Sequence, residues 1–210
     1  EVGGTVKIAT SDLFVEPVNP IAGSNWVYDH IYYDPLADPA VMPDPFTGLY
    51  WPQRVEKAEV YVLKGCPVSV TLDWVSLKFV DSITVPADAW YDWDAERQEI
   101  IYAPPGTTAK TKTVIYYDEN LYDIKFNDGS KMSLADFIFK YIITFDRAKP
   151  ESPVYDEAYI PAFEAFREYF KGFRIVSEKP LIIEYYSDMI YLDAEWIAAD
   201  AASTFYPAYA

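Results

Sequence analysis

The spacing of apolar residues changes partway along the chain, and this change constrains the fold more than any other feature. Before residue 118, apolar and polar residues alternate in several short segments, a period typical of β-strands. Over residues 133–147 the apolar residues instead recur every three or four positions, which predicts an amphipathic helix. A second helix is predicted over residues 157–171, with Gly172 as its C-cap residue. The chain is therefore predicted to be an α+β protein.

The predicted strands are short and are separated by turns. They cover residues 5–10, 57–63, 68–72, 90–93, 99–103 and 112–117. The turn at Gly65-Cys66-Pro67 predicts that its two flanking strands form a hairpin, and residues 94–98 predict the tip of a second one. A third hairpin is predicted from residues 174–177 and 181–186, and a short helix over residues 191–202. Seven prolines between residues 11 and 54 exclude long regular elements there, apart from a short one at residues 26–33.

Two local signals predict where the first helix begins. Asn127-Asp128-Gly129 is a tight-turn sequence whose residues tolerate left-handed backbone conformations. Ser133 and Asp136 have the spacing of a capping box, in which Glu or Gln is the usual second partner. The helix is therefore expected to follow Ser133 directly.

The ionisable and sulfur-containing residues exclude several function classes. The formal charge of −16, from 17 basic and 33 acidic residues, argues against binding to nucleic acid or to anionic lipid. The single cysteine, Cys66, excludes an internal disulfide, and with the single histidine, His30, it excludes a structural zinc site. Cys66 is expected to be a packed thiol rather than a reactive one, and His30 a neutral packed imidazole.

The sequence has no apolar run long enough to span a membrane and no signal peptide, so a mature form or an excised piece is expected.

Two groups of acidic residues are candidate calcium sites. Asp92, Asp94 and Glu96 alternate as at the start of a calcium-binding loop, but the glycine usual at the bend is missing. A solvated hairpin tip is the favoured interpretation, and the same holds for the group Asp188, Asp193 and Glu195. The sequence contains no nucleophile elbow and no phosphate-binding glycine loop. We therefore expect no enzyme activity, no cofactor and no bound metal.

Aromatic residues make up 18% of the chain and cluster near the ends of predicted elements. The clusters contain Trp26, Tyr28, Tyr32, Tyr33, Tyr50, Trp51, Trp74, Trp90, Tyr91 and Trp93. Aromatic side chains at such places either form stacking platforms for peptides or sugars or pack beneath the proline-rich loops. The sequence leaves both alternatives open.

Residues 125–139 resemble a recurrent element of one large protein family. The segment reads Lys125-Phe126-Asn127-Asp128-Gly129-Ser130 and then Met132-Ser133-Leu134-Ala135-Asp136-Phe137-Ile138-Phe139. It is similar to the turn and helix of extracellular solute-binding proteins of the oligopeptide, dipeptide and nickel type (family 5), which serve ABC importers. Asn127 stands where the family usually has His, and Phe137 where it often has Val. Residues 3–9 also resemble the opening strand of the family, and Asn19-Pro20 its early Asp-Pro step.

This resemblance implies a fold and a domain organisation. The expected fold is a lobe of the type II periplasmic-binding-protein kind, with a mixed, largely antiparallel sheet and two main helices. Residues 55–118 would be a β-rich elaboration, and residues 119–210 the strand–helix–helix–hairpin part of the lobe. Family members are considerably longer and have two lobes hinged around a cleft. Residues 1–210 are therefore expected to be an N-terminal or internal fragment.

The resemblance also implies a function. The chain would be the substrate-binding component of an ABC importer, capturing oligopeptides or similar small solutes and delivering them to permease subunits. Its expected partners are the ligand, the permease and the second lobe of the same chain. The expected location is extracellular or periplasmic, with the full-length protein anchored to the membrane as a lipoprotein.

The expected ligand contacts lie in the loop after the opening strand. In the resembling family this loop faces the cleft, which selects Ser24, Asn25, Trp26 and Tyr28 as ligand-binding residues. Trp26 offers a stacking face, while Ser24 and Asn25 offer short hydrogen-bonding groups. The alternative is that Trp26 and Tyr28 anchor the proline-rich loop to the core.

Two functions from other classes remain open at this stage. The chain could be a non-catalytic carbohydrate-binding module attached to a hydrolase, or a β-rich module of a surface layer held together by aromatic packing. Neighbouring permease genes would favour the importer, whereas an adjoining catalytic domain would favour the carbohydrate-binding module.

Overall fold

The computed structural model describes residues 38–126 and 128–202, together with Gly4, Thr5, Lys7 and Ala9. Pro39–Ala210 forms one compact unit, and Glu1–Asp38 is a separate unit. The predicted strand at residues 5–10 lies largely outside the described residues, and the predicted element at residues 26–33 lies wholly outside them. The fold below is that of the described part of the larger unit.

This part of the chain has a mixed α+β fold. Its strands are β1 (Val41–Pro43), β2 (Tyr50–Pro52), β3 (Val55–Leu63), β4 (Val75–Val80), β5 (Trp90–Asp94), β6 (Glu99–Tyr102), β7 (Thr111–Tyr117), β8 (Phe170–Glu178) and β9 (Leu181–Ser187). Its α-helices are α1 (Leu134–Asp146), α2 (Ile160–Tyr169) and α3 (Ala194–Ala201). Within the described ranges, none of these helices is long and apolar enough to cross a membrane.

Seven of the strands form one mixed sheet, in the order β4-β3-β7-β9-β8-β5-β6. Only β3 and β4 run parallel among its paired strands, and β1 and β2 form a separate antiparallel hairpin. Because β9 pairs with β7, and β8 with β5, the strands of residues 55–118 interleave with those of residues 170–187.

The main core lies on one face of this sheet. Successive strand residues point to opposite faces, so Ala58, Val60 and Val62 of β3 are buried while the residues between them are half-buried. Ile115 of β7 and Ile183 of β9 continue this apolar row across the sheet. The helices contribute further fully or almost fully buried side chains, among them Phe137, Phe145, Ile197 and Ala198.

A smaller cluster covers part of the opposite face. Ile83, Val85 and Ala89, from the connection between β4 and β5, pack with the buried ring of Tyr186. The rest of this face carries charged and tyrosine side chains, described below.

The helix predicted after Ser133 is confirmed. Gly129 adopts a φ of +87°, as the predicted turn requires, and its N–H donates to the carbonyl of Phe126 at 2.8 Å. Ser133 is the N-cap residue of α1, and its backbone N–H donates to Asp136 Oδ2 at 2.6 Å. The hairpins predicted at residues 90–103 and 174–186 are also confirmed, as β5–β6 and β8–β9, and so is the last short helix, as α3.

The hairpin predicted around Gly65-Cys66-Pro67 is wrong. Residues 68–72 form no strand apart from an isolated bridge between Ser69 and Asp193. The next strand, β4, instead runs parallel to β3. The N–H groups of Thr71 and Leu72 donate to the carboxylate of Glu195, so these residues satisfy their backbone donors without a neighbouring strand.

The helix predicted over residues 157–171 is shorter, and Gly172 is not its C-cap. A 3₁₀ turn at Glu157–Tyr159 precedes α2, which ends at Tyr169 where β8 begins. Gly172 lies inside β8 at a β-bulge, with a φ of +138°. A Cβ at this position would come within 3.1 Å of the carbonyl oxygen of Trp90, so the glycine permits a close approach of β5.

Candidate functional site

The ligand contacts predicted at Ser24, Asn25, Trp26 and Tyr28 lie outside the described residues, as does His30. Their roles stay predictions. The described part of the larger unit contains an aromatic groove and a charged surface.

Three of the tryptophans in the predicted aromatic clusters are packed residues. Trp74, Trp90 and Trp93 are 9%, 6% and 6% exposed. The Trp90 ring stacks on those of Trp93 and Phe173, with centroids 5.3 Å away in both cases. For these residues the packing alternative is confirmed. Trp51 differs, because 52% of it is exposed on the β1–β2 hairpin.

A groove of about 510 Å³ lies between the β5–β6 hairpin and α1. Its apolar walls are formed by Trp90, Trp93, Ile100, Tyr102, Ile138 and Ile142. The two indole N–H groups differ in their bonding. Trp93 Nε1 donates to Asp146 Oδ1 at 2.9 Å, whereas the buried Trp90 Nε1 has no acceptor among the described residues.

The second feature is a polar surface on the side of the sheet that faces away from the helices, here called the charged face. It comprises Glu59, Tyr61, Lys78, Lys112, Tyr116, Arg174, Glu184 and Tyr186. Strand register brings these side chains together, because Tyr61 lies opposite Lys78 on β4 and opposite Lys112 on β7. The ammonium groups of both lysines lie over the Tyr61 ring, 4.9 and 5.4 Å from its centroid.

Glu59 is the centre of one half of the charged face. Lys78 Nζ and the Tyr61 hydroxyl donate to Glu59 Oε2 at 2.7 and 2.6 Å, and the Tyr116 hydroxyl donates to Oε1 at 3.2 Å. The bond from Lys78, followed by that from Tyr61, lowers the pKa of Glu59 to about 2. Glu59 in turn raises the pKa of Lys78 to about 12. Both groups are therefore charged at neutral pH.

Glu184 is the centre of the other half. Lys112 Nζ lies 2.5 Å from its Oε1, while Arg174 Nε and the Tyr186 hydroxyl donate to its Oε2 at 2.6 and 2.7 Å. Burial opposes ionisation of this carboxyl, but the three donors outweigh it, and the pKa of Glu184 is lowered. Burial, and then the bond to Glu184, raises the pKa of Tyr186. Donors from β7, β8 and β9 therefore converge on one carboxylate.

The acidic groups weighed as calcium sites are engaged in other contacts. Asp92 forms ion pairs with Lys149 at 3.3 Å and Arg167 at 3.6 Å, and Asp94 Oδ1 accepts from the backbone N–H groups of Glu96 and Arg97. In the ranges 38–126 and 128–202, no group of three His, Cys, Asp or Glu side chains has an arrangement that could hold a metal ion.

The interpretation of Glu195 as a solvated residue is wrong. Its exposed fraction is 0%, and its Oε1 accepts from the N–H groups of Thr71 and Leu72 at 2.6 and 2.5 Å. The carboxylate fixes the connection between β3 and β4 to the first turn of α3. Its Oε2 has no partner among the described residues. Cys66 is a half-buried free thiol, as expected.

Lys140 on α1 is a further cation whose pKa is strongly shifted. Burial lowers the pKa of its ammonium to about 8, and the negative charge of Asp200 on α3 partly offsets this effect. Burial also raises the pKa of Asp200.

Sequence reasoning missed the charged face. The alternation of β3 places Glu59 and Tyr61 on one side of the strand, which was the available signal. Lys78, the cation that pairs with Glu59, lies on β4, and the sequence did not reveal that β4 runs parallel to β3.

Neither a known family profile nor a curated protein sequence matches this chain.

Proposed function

We propose that this chain is part of the substrate-binding component of an ABC importer and that it captures oligopeptides outside the cell. The observation that carries the proposal is the turn at Asp128 and Gly129 leading into the capped helix α1. This segment resembles the family at Asp128-Gly129 and Ala135-Asp136 and departs from it at Asn127 and Phe137. Gly129 and the N-cap Ser133 have the local conformation that a turn leading into a helix requires.

The order of elements gives further support. After the turn come α1, then α2, then the antiparallel pair β8 and β9. The same order, with two helices followed by a hairpin, is implied by the resemblance. The fold class is also compatible, since the helices pack on a large mixed sheet.

Capture would follow the mechanism of a hinged receptor. The ligand binds in a cleft between two lobes, and its contacts with both lobes stabilise the closed state. Ser24 and Asn25 would bond to the peptide backbone and Trp26 would stack on a side chain. The permease then receives the closed, loaded receptor.

The first test identifies the bound ligand. The whole gene product is purified without denaturation, then unfolded, and the released small molecules are analysed by mass spectrometry. Oligopeptides are the expected result. Oligosaccharides in their place would contradict the proposal and favour the carbohydrate-binding module.

A second test concerns Trp26. Trp26→Ala is expected to weaken peptide binding by about tenfold or more without a loss of stability, since a stacked aromatic ring contributes to affinity. Tyr155→Ala is the matched control, because Tyr155 is an aromatic residue that is 40% exposed and is assigned no role in binding. If Trp26→Ala instead lowers the free energy of unfolding by about 3–5 kcal/mol, Trp26 is a core residue and the proposed contact is wrong.

The same titrations test whether the cleft needs two lobes. Residues 1–210 alone are expected to bind peptides more weakly than the micromolar range, because half of the closing contacts would be missing. Calorimetric titration with a mixed peptide pool measures this. Tight binding by these residues alone that Trp26→Ala weakens would show that they form a complete binding module.

A further inference from the structure

β6 lies at one edge of the seven-stranded sheet that the described strands form. Among the described strands it pairs only with β5, so its outer row of backbone N–H and C=O groups faces no other strand. Ile100, Ile101 and Tyr102 are 38%, 43% and 55% exposed. Natural edge strands are commonly protected by charged side chains or proline; β6 has no lysine or proline, and Glu99 at its start is its single charged residue. The opposite edge strand, β4, carries Lys78.

The groove described above adjoins this edge. Ile100 and Tyr102 of β6 form one of its walls, and Ile138 and Ile142 of α1 form another. Its volume of about 510 Å³ falls within the range of ligand pockets. A strand added to β6 would turn every second side chain to the face on which this groove lies. Edge and groove together therefore offer backbone pairing and an apolar side-chain site.

The charges of the residues near the groove favour one kind of ligand over others. The hairpin tip carries the carboxylates of Asp94, Glu96 and Glu99 and only one cation, Arg97. The chain as a whole has a formal charge of −16, so two copies repel each other at low ionic strength. A second copy pairing through β6 is therefore disfavoured, and a segment that contains lysine or arginine is favoured.

We propose that the edge of β6 and the adjoining groove bind an extended peptide segment that alternates apolar and basic residues. The segment pairs with β6 as an added strand, places apolar side chains in the groove and presents its cations to the acidic hairpin tip. This site uses other residues than the predicted contacts at residues 24–28, and the proposal stands whether or not the importer function is correct.

The probe is a fluorescently labelled, end-blocked peptide that alternates valine and lysine over six residues. It is titrated with the protein at low ionic strength, and binding is followed by fluorescence anisotropy. Ile100→Lys is the test variant and Phe79→Lys its matched control, because Phe79 is a 45% exposed residue of the opposite edge strand, β4. Both variants add one positive charge, so the net charge of the protein changes equally. Only Ile100→Lys is expected to weaken binding, by about tenfold.

A further measurement addresses the backbone. A probe with N-methyl groups on alternate amides is expected to bind about tenfold more weakly, since it cannot form the pairing bonds. This probe needs no change to the protein, so the test stays informative if Ile100→Lys does not fold.

Three results would overturn the proposal. They are the absence of binding to the plain probe, equal affinities of Ile100→Lys and Phe79→Lys for it, and unchanged affinity of the methylated probe. Sedimentation of the protein without peptide tests whether two copies associate. A dimer that Ile100→Lys abolishes would show that a second copy occupies this edge instead.

Discussion

The buried carboxylate of Glu195 is expected to contribute more to stability than any exposed acidic residue. It accepts two backbone hydrogen bonds, from Thr71 and Leu72, in the connection that carries the chain from β3 to the parallel strand β4. A hydrogen bond to a charged group contributes roughly 1.5–3 kcal/mol. The lower figure applies because Thr71 is exposed and water can replace its lost acceptor. Glu195→Ala should therefore lower the free energy of unfolding by about 3 kcal/mol.

Glu195→Gln separates the charge from the hydrogen bonds. Glutamine keeps one carbonyl oxygen as an acceptor, but a neutral acceptor forms bonds about half as strong. We therefore expect a loss of about 1–2 kcal/mol, between wild type and Glu195→Ala. Glu164→Ala is the control, because Glu164 is an exposed glutamate on α2, and such surface substitutions usually change stability by less than about 0.5 kcal/mol.

The assay combines urea unfolding with amide hydrogen exchange. Unfolding curves give the loss of stability at constant m-value, and exchange reports which backbone groups lost their partner. The amides of Thr71 and Leu72 should exchange faster in Glu195→Ala at conditions where that of Val60, in the middle of β3, remains protected. A stability equal to that of Glu164→Ala, or unchanged exchange at these two amides, would refute the reasoning.

Three further predictions concern the turn, the aromatic core and the charged face. Gly129→Ala should lower the free energy of unfolding by about 1 kcal/mol, because the φ of +87° disfavours a Cβ, and thermal melting measures this. Trp93→Phe should cost about 1–3 kcal/mol by removing the donor to Asp146, and a double-mutant cycle with Asp146→Ala should show coupling; additive losses would contradict the bond. The pKa of Glu59 is lowered from 4.5 to about 2, so its contribution is present above pH 4.5 and is lost as pH falls through 2. The difference in free energy of unfolding between wild type and Glu59→Gln should therefore become smaller by about 1–2 kcal/mol as the pH falls through this range. The figure is kept low because Lys78 is partly exposed and solvent screens its charge. A difference that does not change with pH would contradict the pairing.

The elements that local sequence determines were predicted well. α1 follows from the spacing of its apolar residues and from the Ser133–Asp136 cap, all of which lie within one stretch of chain. The hairpin of β5 and β6 likewise needs only its own alternation and its polar tip. Such signals require no knowledge of distant partners.

The errors occur where distant residues decide the structure. Residues 68–72 alternate like a strand, but Glu195, more than 120 residues later, binds their backbone N–H groups. Gly172 follows a helical pattern and so resembles a C-cap residue, yet the nearby backbone of Trp90 on β5 is what requires a glycine there. Alternation alone also does not distinguish a hairpin partner from a parallel neighbour, which is why the pairing of β3 with β4 was missed.

The candidate sites also differ in how far local sequence predicts them. The groove combines residues from β5, β6 and α1, so no single segment of sequence predicts it. The charged face could be predicted in part, since the alternation of β3 shows that Glu59 and Tyr61 share one side. The predicted contacts at residues 24–28 depend on the family resemblance alone.

The placement of charge explains what kind of partner this protein can meet. On the charged face, Lys78 neutralises Glu59, while Lys112 and Arg174 neutralise Glu184, so the half-buried carboxylates there add no net negative charge. The excess of 33 acidic over 17 basic residues is therefore carried by other parts of the chain. An acidic surface attracts cationic partners over about 10 Å at moderate ionic strength and repels further copies of itself. The same field would act on a peptide approaching either proposed site. Basic peptides should consequently associate faster than acidic ones, and added salt should reduce that difference before it affects the contacts made after binding.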